Sequence, residues 1–189
     1  MAGRRLFIAL MPDAKVRGQL HATAKDLAIR MNPQRRRMIA PENYHVTLQF
    51  LGDGITDEQL AALRQALSLV RGDPVEMTID HARTFGEGGT WWLGMRQTPP
   101  ALDALRAQVL LRTGSVGFTG DRRFTPHVSV MKVPEKLPPT RTMVVTWTAD
   151  TFALVSSTLT PDGSRYEVLQ QWLLKGGAAA SSTEQLSLL

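Results

Sequence analysis

Apolar positions change their spacing along this chain, and each change marks out an element. Residues 4–10 form a short apolar run behind two arginines and read as a first strand. From Asp13 the spacing turns helical. Val16, Leu20, Ala24 and Leu27 fall on one stripe, and the Asp13 carboxylate is placed to cap the first free amides. Residues 36–40 are a short extended piece closed by Pro41. Over residues 44–51 the period becomes two, with His45, Thr47 and Gln49 pointing one way and Val46, Leu48 and Phe50 the other. Gly52-Asp53-Gly54 is predicted to break that strand.

Thr56 opens a second helix, where Gln59 can complete a capping box and Leu60, Leu63, Leu67 and Val70 face inward. Strands are predicted over residues 75–80 and 90–95, joined through Gly86-Glu87-Gly88-Gly89. A third helix begins after Pro99-Pro100, turns Leu102, Leu105 and Val109 to the core and stops at Gly114. Residues 124–131 read as a strand, and residues 134–140, with Pro134, Pro138 and Pro139, as a loop. Residues 143–157 and 164–174 are β-rich and turn at Thr160-Pro161-Asp162-Gly163. From Gly176 onward the chain is small and polar, and disorder is expected there. Because hairpins join several strands, the pattern predicts an α+β fold with antiparallel sheets.

Composition removes several classes. The chain has 189 residues, enough to bury a core as one compact domain or two packed lobes. It lacks any run of eighteen apolar residues, so no membrane-spanning helix is predicted. The basic and then apolar start resembles a signal peptide, but its apolar run covers only residues 6–11 before Pro12-Asp13, so it reads as a strand. A sequence without cysteine excludes disulfides, thiolate catalysis and cysteine zinc sites, and fits a cytoplasmic protein. No Gly-x-Gly-x-x-Gly follows the first strand and no phosphate-loop lysine is present, which disfavours nucleotide-cofactor folds. The net charge of +5 is modest. Arg4-Arg5, Arg35-Arg36-Arg37 and Arg122-Arg123 each read as solvated surface, and as a phosphate attractor if they converge on one cleft.

The candidate chemistry lies in a weak internal repeat. One segment reads Pro-Glu-Asn-Tyr-His45-Val-Thr47-Leu, the other Arg-Phe-Thr-Pro-His127-Val-Ser129-Val. Residues two apart on a strand share a face, so each copy projects an imidazole and a hydroxyl together. Displacement at phosphorus needs a nucleophile activated on one side and a leaving oxygen protonated on the other. Two imidazoles near ~6.5 can divide that work, one neutral and one cationic. Two hydroxyls can donate to the non-bridging oxygens, where charge accumulates. Neither a metal nor a covalent intermediate is required, and no His-x-His pair or matched carboxylate suggests a metal site. A single His-x-Thr arises by chance in alternating strands. From the pattern alone, a catalytic pair and two structural histidines both stand.

At these residues the sequence resembles the bacterial and archaeal RNA 2′,3′-cyclic phosphodiesterases, also called 2′-5′ RNA ligases, of the two-histidine phosphoesterase superfamily. The likeness runs over about residues 4–174. It takes in the opening strand, the segment Pro41-Glu-Asn-Tyr-His-Val-Thr-Leu-Gln-Phe-Leu-Gly52, Thr90-Trp-Trp-Leu-Gly94, Phe124-Thr-Pro-His-Val-Ser-Val130 and the closing Gly163-Ser-Arg-Tyr-Glu-Val168. The resemblance implies a bilobal fold over residues 1–175, with two antiparallel sheets facing each other across a cleft, helices outside and one motif per lobe. It implies that His45 protonates the leaving 3′-oxygen, that His127 activates water, and that Thr47 and Ser129 hold the phosphate. The expected partner is RNA or a nucleotide ending in a 2′,3′-cyclic phosphate, turned over without cofactor to a 2′-phosphate. A monomer without membrane attachment is expected. Joining of RNA ends through a 2′-5′ bond would be the same chemistry with a 5′-hydroxyl in place of water. The alternatives are an RNA-end binding module with little turnover, or a phosphodiesterase for another small cyclic phosphate.

Two departures from the family pattern stand out. Ser129 replaces the commoner threonine and keeps the hydroxyl. Lys132 stands where arginine is usual, which keeps the charge and loses the bidentate fork. Strict alternation also puts Lys132 on the face opposite His127, so it reaches a phosphate only if the strand bends; otherwise it is a solvated strand end. Arg123, just before the second motif, is a further candidate phosphate contact, with plain surface as its other reading. Tyr44, Phe50, Trp91, Trp92 and Phe124 could stack on a base or fill the core. His21 and His81 have no patterned partner and read as structural or solvated.

Overall fold

In the computed structural model, which describes residues 4–86, 88–121, 123–161 and 163–176, the strands gather into two antiparallel sheets. In chain order the elements are β1 (Arg4–Leu10), α1 (Ala14–Met31), β2 (Arg37–Met38), a 3-10 turn (Pro41–Asn43), β3 (Val46–Ile55), α2 (Asp57–Ser68) and β4 (Val75–Thr84). They continue with β5 (Gly89–Gly94), α3 (Pro100–Gly114), β6 (His127–Val133), β7 (Thr140–Ala149), β8 (Thr151–Thr160) and β9 (Gly163–Leu173). One sheet runs β3-β1-β8-β9 and the other β2-β6-β5-β4-β7. Each motif strand thus lies beside a partner, β3 next to β1 and β6 next to β5.

The helices form where their caps and stripes predict. Asp13 accepts from the Val16 amide at 2.8 Å, and the α1 stripe Val16, Leu20, Ala24 and Leu27 is buried. Thr56 and Gln59 close a reciprocal capping box on α2, with distances of 2.9 and 3.2 Å. The α1 helix ends at Asn32 in the left-handed region, and the Ala28 carbonyl accepts both the Asn32 amide at 3.0 Å and the Arg36 guanidinium at 3.2 Å. A single apolar core joins both lobes, drawing Leu6 and Ile8 from β1, Leu63 from α2, Leu105 from α3, Val128 from β6 and Trp147 from β7. Full burial of such a side chain is worth about 1.5–3 kcal/mol. In it α1 packs on β6 and β7, α3 on β3 and β4, and α2 on β9, so the helices cover the core side of the sheets. The opposite faces are left to build a cleft.

Several predicted boundaries move. Gly52 and Gly54 do not end β3. At φ 107° and 78° they bend it, while Gly52 still pairs with Leu6 and Ile55 with Arg4. Residues 143–157 are not one stretch: β7 and β8 part at Asp150, whose carbonyl accepts from the Leu174 amide at 2.7 Å. The strand expected from Phe124 begins only at His127, since Pro126 has no amide to give to a ladder. Four residues are added to the end of the predicted 75–80 strand, so β4 reaches Thr84 and His81 lies within it. Among the described residues, no helix is long and apolar enough to cross a membrane. The disordered tail expected over residues 176–189 lies, from residue 177 onward, outside the described residues.

Candidate active site

Each motif histidine is oriented by the backbone two residues before it. The His45 Nδ1–H donates to the Asn43 carbonyl at 2.7 Å, and the His127 Nδ1–H donates to the Thr125 carbonyl at 2.7 Å. A carbonyl can only accept, so Nδ1 carries the proton in both rings and Nε2 is left for chemistry. Burial pulls the His45 imidazole below the ordinary histidine range. The Asn43 carbonyl opposes this, and the charge of protonated His127 adds to it. Burial also lowers His127, against the support of Thr125. That His45 responds to the charge on His127 ties the two rings into one electrostatic unit.

The strands carrying these rings share a local irregularity. From His45 to Phe50 and from His127 to Lys132, the sequence of half-buried, buried and exposed positions is identical. The ladders explain why. On β3, Ala9 pairs with Thr47 and Ile8 with Gln49, which leaves Leu48 as an extra residue. On β6, Trp92 pairs with Ser129 and Trp91 with Met131, which leaves Val130 extra. Both bulges stand three residues after the histidine and swap the inward and outward faces beyond them. One consequence is that Gln49 does not share the face of His45 and Thr47. It is buried and accepts from the Thr113 hydroxyl at 2.7 Å. The other is that Lys132 returns to the face of His127 and Ser129. Phe50, the equivalent position in the other lobe, is 47% exposed with the Arg5 guanidinium 5.1 Å above its ring.

His45, Ser129 and Lys132 line one cavity of about 340 Å³ between the sheets, together with Arg37, Asn43 and Tyr166. Lys132 and Arg37 are neighbours across the β6–β2 ladder, and the Lys132 ammonium donates to Thr90 Oγ1 at 2.8 Å. Among the described residues no carboxylate lines this cavity, while Arg37 and Lys132 bring two positive charges to it. Thr47 follows His45 on the same face of β3 and is half-buried. Aromatic rings wedge both histidines: Phe7 and Tyr166 stand 4.8 and 5.2 Å from His45, Phe85 and Trp92 4.9 and 5.6 Å from His127. Gly94 is required here, because a Cβ at that position would meet the Trp92 ring at 2.6 Å.

A model of the 2′-5′ RNA ligase superfamily matches residues 17–160. The chain belongs to that superfamily. Among curated members it is 28% identical over 177 residues to the RNA 2′,3′-cyclic phosphodiesterase of Archaeoglobus fulgidus, covering 88% of this chain and 98% of the relative. It is 29% identical over 175 residues to the enzyme of the same name from Escherichia coli, covering 90% and 97%. The crystal structure of E. coli LigT in apo form superposes with a TM-score of 0.78 at 26% identity, over 92% of this chain and 98% of that one.

Within this superfamily member, the remaining sequence candidates scatter. Arg123 is exposed, its amide donates to Asp121, and it lines neither the cavity of His45 nor the one beside Trp92. Of the basic clusters, Arg37 reaches the cavity, whereas Arg36 caps α1 and Arg4 pairs with Asp57. Tyr44, Trp91 and Trp92 are buried, and the Trp91 indole donates to the Glu135 carbonyl at 2.8 Å. Burial, with Glu42 beside it, pushes the Tyr44 hydroxyl up to about 12, and that neutral phenol meets His21 Nδ1 at 3.2 Å. Phe124 lies under the Arg106 guanidinium. Sequence reasoning missed Phe7, Phe85 and Tyr166, whose place beside the histidines depends on pairing between distant strands. Among the described residues, no three His, Cys, Asp or Glu side chains cluster as a metal site would need.

Proposed function

We propose that this protein is a phosphodiesterase that opens the 2′,3′-cyclic phosphate at an RNA or nucleotide end and leaves a 2′-phosphate. The observation that carries the reading is the matched pair of imidazoles, each with Nδ1 tied to a carbonyl, with His45 lining a cavity that holds Arg37 and Lys132 and, among the described residues, no carboxylate. Relatives named RNA 2′,3′-cyclic phosphodiesterase, aligned over nearly the whole chain, support the substrate class. In the proposed reaction His127 Nε2 takes a proton from water as its oxygen bonds to phosphorus. The bond from phosphorus to the 3′-oxygen breaks, and His45 Nε2 delivers its proton to that oxygen. Thr47, Ser129 and Lys132 donate to the non-bridging oxygens as charge builds there. The bound phosphate anion raises both lowered imidazoles, which favours the charged acid that the step consumes. With an RNA 5′-hydroxyl in place of water, the same steps leave a 2′-5′ phosphodiester. A monomer in the cytoplasm fits this role and the cysteine-free sequence.

The test is hydrolysis of a nucleoside 2′,3′-cyclic phosphate in EDTA, with product identification. Wild type should release the 2′-phosphate, and His45→Ala and His127→Ala should each lose at least about a hundredfold in kcat. A wild type that binds such RNA ends without turning them over would make the protein an RNA-end binding module instead.

A further inference from the structure

The cleft face of the β6-bearing sheet continues past the histidine. Across the ladders, His127 pairs with Gly94, Gly94 with His81, and His81 with Arg141; one row further along, Ser129 pairs with Trp92 and Trp92 with Arg83. These rows lead into a second cavity of about 470 Å³, lined by His81, Arg83, Trp92, Arg96, Thr125 and Arg141 among others. Thr125 is the residue whose carbonyl orients His127, so this cavity adjoins the reacting centre on the side away from Arg37 and Lys132.

Its charge is arranged for an anion. The side chain of Arg96 is engaged by Asp80, at 2.6 Å, and Asp80 also meets His81 at 3.2 Å. Asp80 itself does not line the cavity. Among the described residues, no carboxylate pairs with Arg83 or Arg141, and both are exposed. Trp92 lines the cavity and stands 5.6 Å from His127, and among the described residues its buried indole N–H has no partner. With strands about 4.8 Å apart, Arg83 stands two strands, roughly 10 Å, from Ser129, and Arg141 three strands, roughly 14 Å, from His127. Those distances are too long for the phosphate under attack and suit the sugar-phosphate of its neighbour.

We infer that this cavity is a second-nucleotide subsite, in which Arg83 and Arg141 hold the backbone phosphate of the RNA next to the reacting end. The inference rests on the phosphodiesterase reading above and predicts that the site prefers RNA to a mononucleotide. The neighbouring phosphate has two possible sources, the upstream nucleotide of the cyclic-phosphate strand and the strand that presents a 5′-hydroxyl for joining.

The test is the double variant Arg83→Gln/Arg141→Gln on three substrates. Hydrolysis of a nucleoside 2′,3′-cyclic phosphate should stay within about twofold of wild type. Hydrolysis of a short RNA with the same end, or joining of that RNA to a 5′-hydroxyl oligomer, should fall at least about tenfold in kcat/KM, one charge-assisted contact being worth that much. Loss on both RNA reactions assigns the upstream nucleotide, and loss on joining alone assigns the acceptor strand. Unchanged RNA reactions, or equal losses on mononucleotide and oligomer, would overturn the subsite. Affinity for the RNA oligomer against salt gives a readout without turnover: the variant's log–log slope should be shallower by about 0.7, for one phosphate on a single strand. If wild type hydrolyses none of the substrates, the phosphodiesterase reading fails, while the salt slope still decides whether the arginines bind RNA.

Discussion

Lys132 shows how far a single residue's role depends on backbone detail. A bulge at Val130 carries it to the face of Ser129, and it lines the cavity of His45. A hydrogen bond from a charged donor is worth about 1.5–3 kcal/mol, so Lys132→Ala should cost roughly ten- to a hundredfold in kcat/KM on a cyclic phosphate. Lys132→Arg should keep most of the activity, because the charge remains and the guanidinium adds a second donor. Steady-state kinetics on a mononucleotide decides this; an alanine variant with unaltered kcat/KM would place Lys132 outside the reaction. Alternation alone gives this residue the wrong face, because the extra residue is visible only in the pairing of β6 with β5. The histidines were legible in advance for the opposite reason. The pattern His-x-Thr/Ser is local, comes twice, and lies ahead of the bulge on each strand, where period two still holds. Phe7, Phe85 and Tyr166 left no such trace, since their contact with an imidazole needs three strands brought together.

At the scale of elements, the 3-10 turn before β3 deserves comparison with the helices. It supplies the Asn43 carbonyl that orients His45, and the Asn43 side-chain amide donates to the Ser164 carbonyl at 2.7 Å, tying the turn to β9. Asn43→Ala should therefore cost about 1 kcal/mol of stability and also lower kcat. Thr56→Ala removes a cap on α2 and should cost a similar amount, about 1 kcal/mol, with kcat intact. Urea midpoints and kcat for the two variants separate the cases: equal midpoint losses with equal kcat would deny the turn its role in holding the ring. All three helices were legible from stripe and cap, because those signals are local. The strands were legible in place but neither in number nor in extent, since the stretch over residues 143–157 divides at Asp150 into β7 and β8. Gly52 and Gly54 look like terminators, yet a strand held by β1 on its flank bends through them instead.

The whole molecule reads as two lobes related by repetition. In each, a motif strand lies against a central partner and bulges three residues after its histidine. One core runs beneath both lobes, so the distance between the rings is set by packing and not by a flexible linker. The charge of one imidazole is felt at the other, and burial lowers both. Activity needs a neutral base and a charged acid together, so kcat/KM should trace a bell against pH. With both groups below their ordinary value of ~6.5 in the free protein, its maximum should lie on the acid side of that value. The most direct measurement is this profile for wild type, His45→Ala and His127→Ala on a nucleoside 2′,3′-cyclic phosphate. The account predicts a bell for wild type, residual His45→Ala activity without the alkaline limb, and residual His127→Ala activity without the acidic limb. A profile that keeps both limbs in either variant would contradict the acid–base pair.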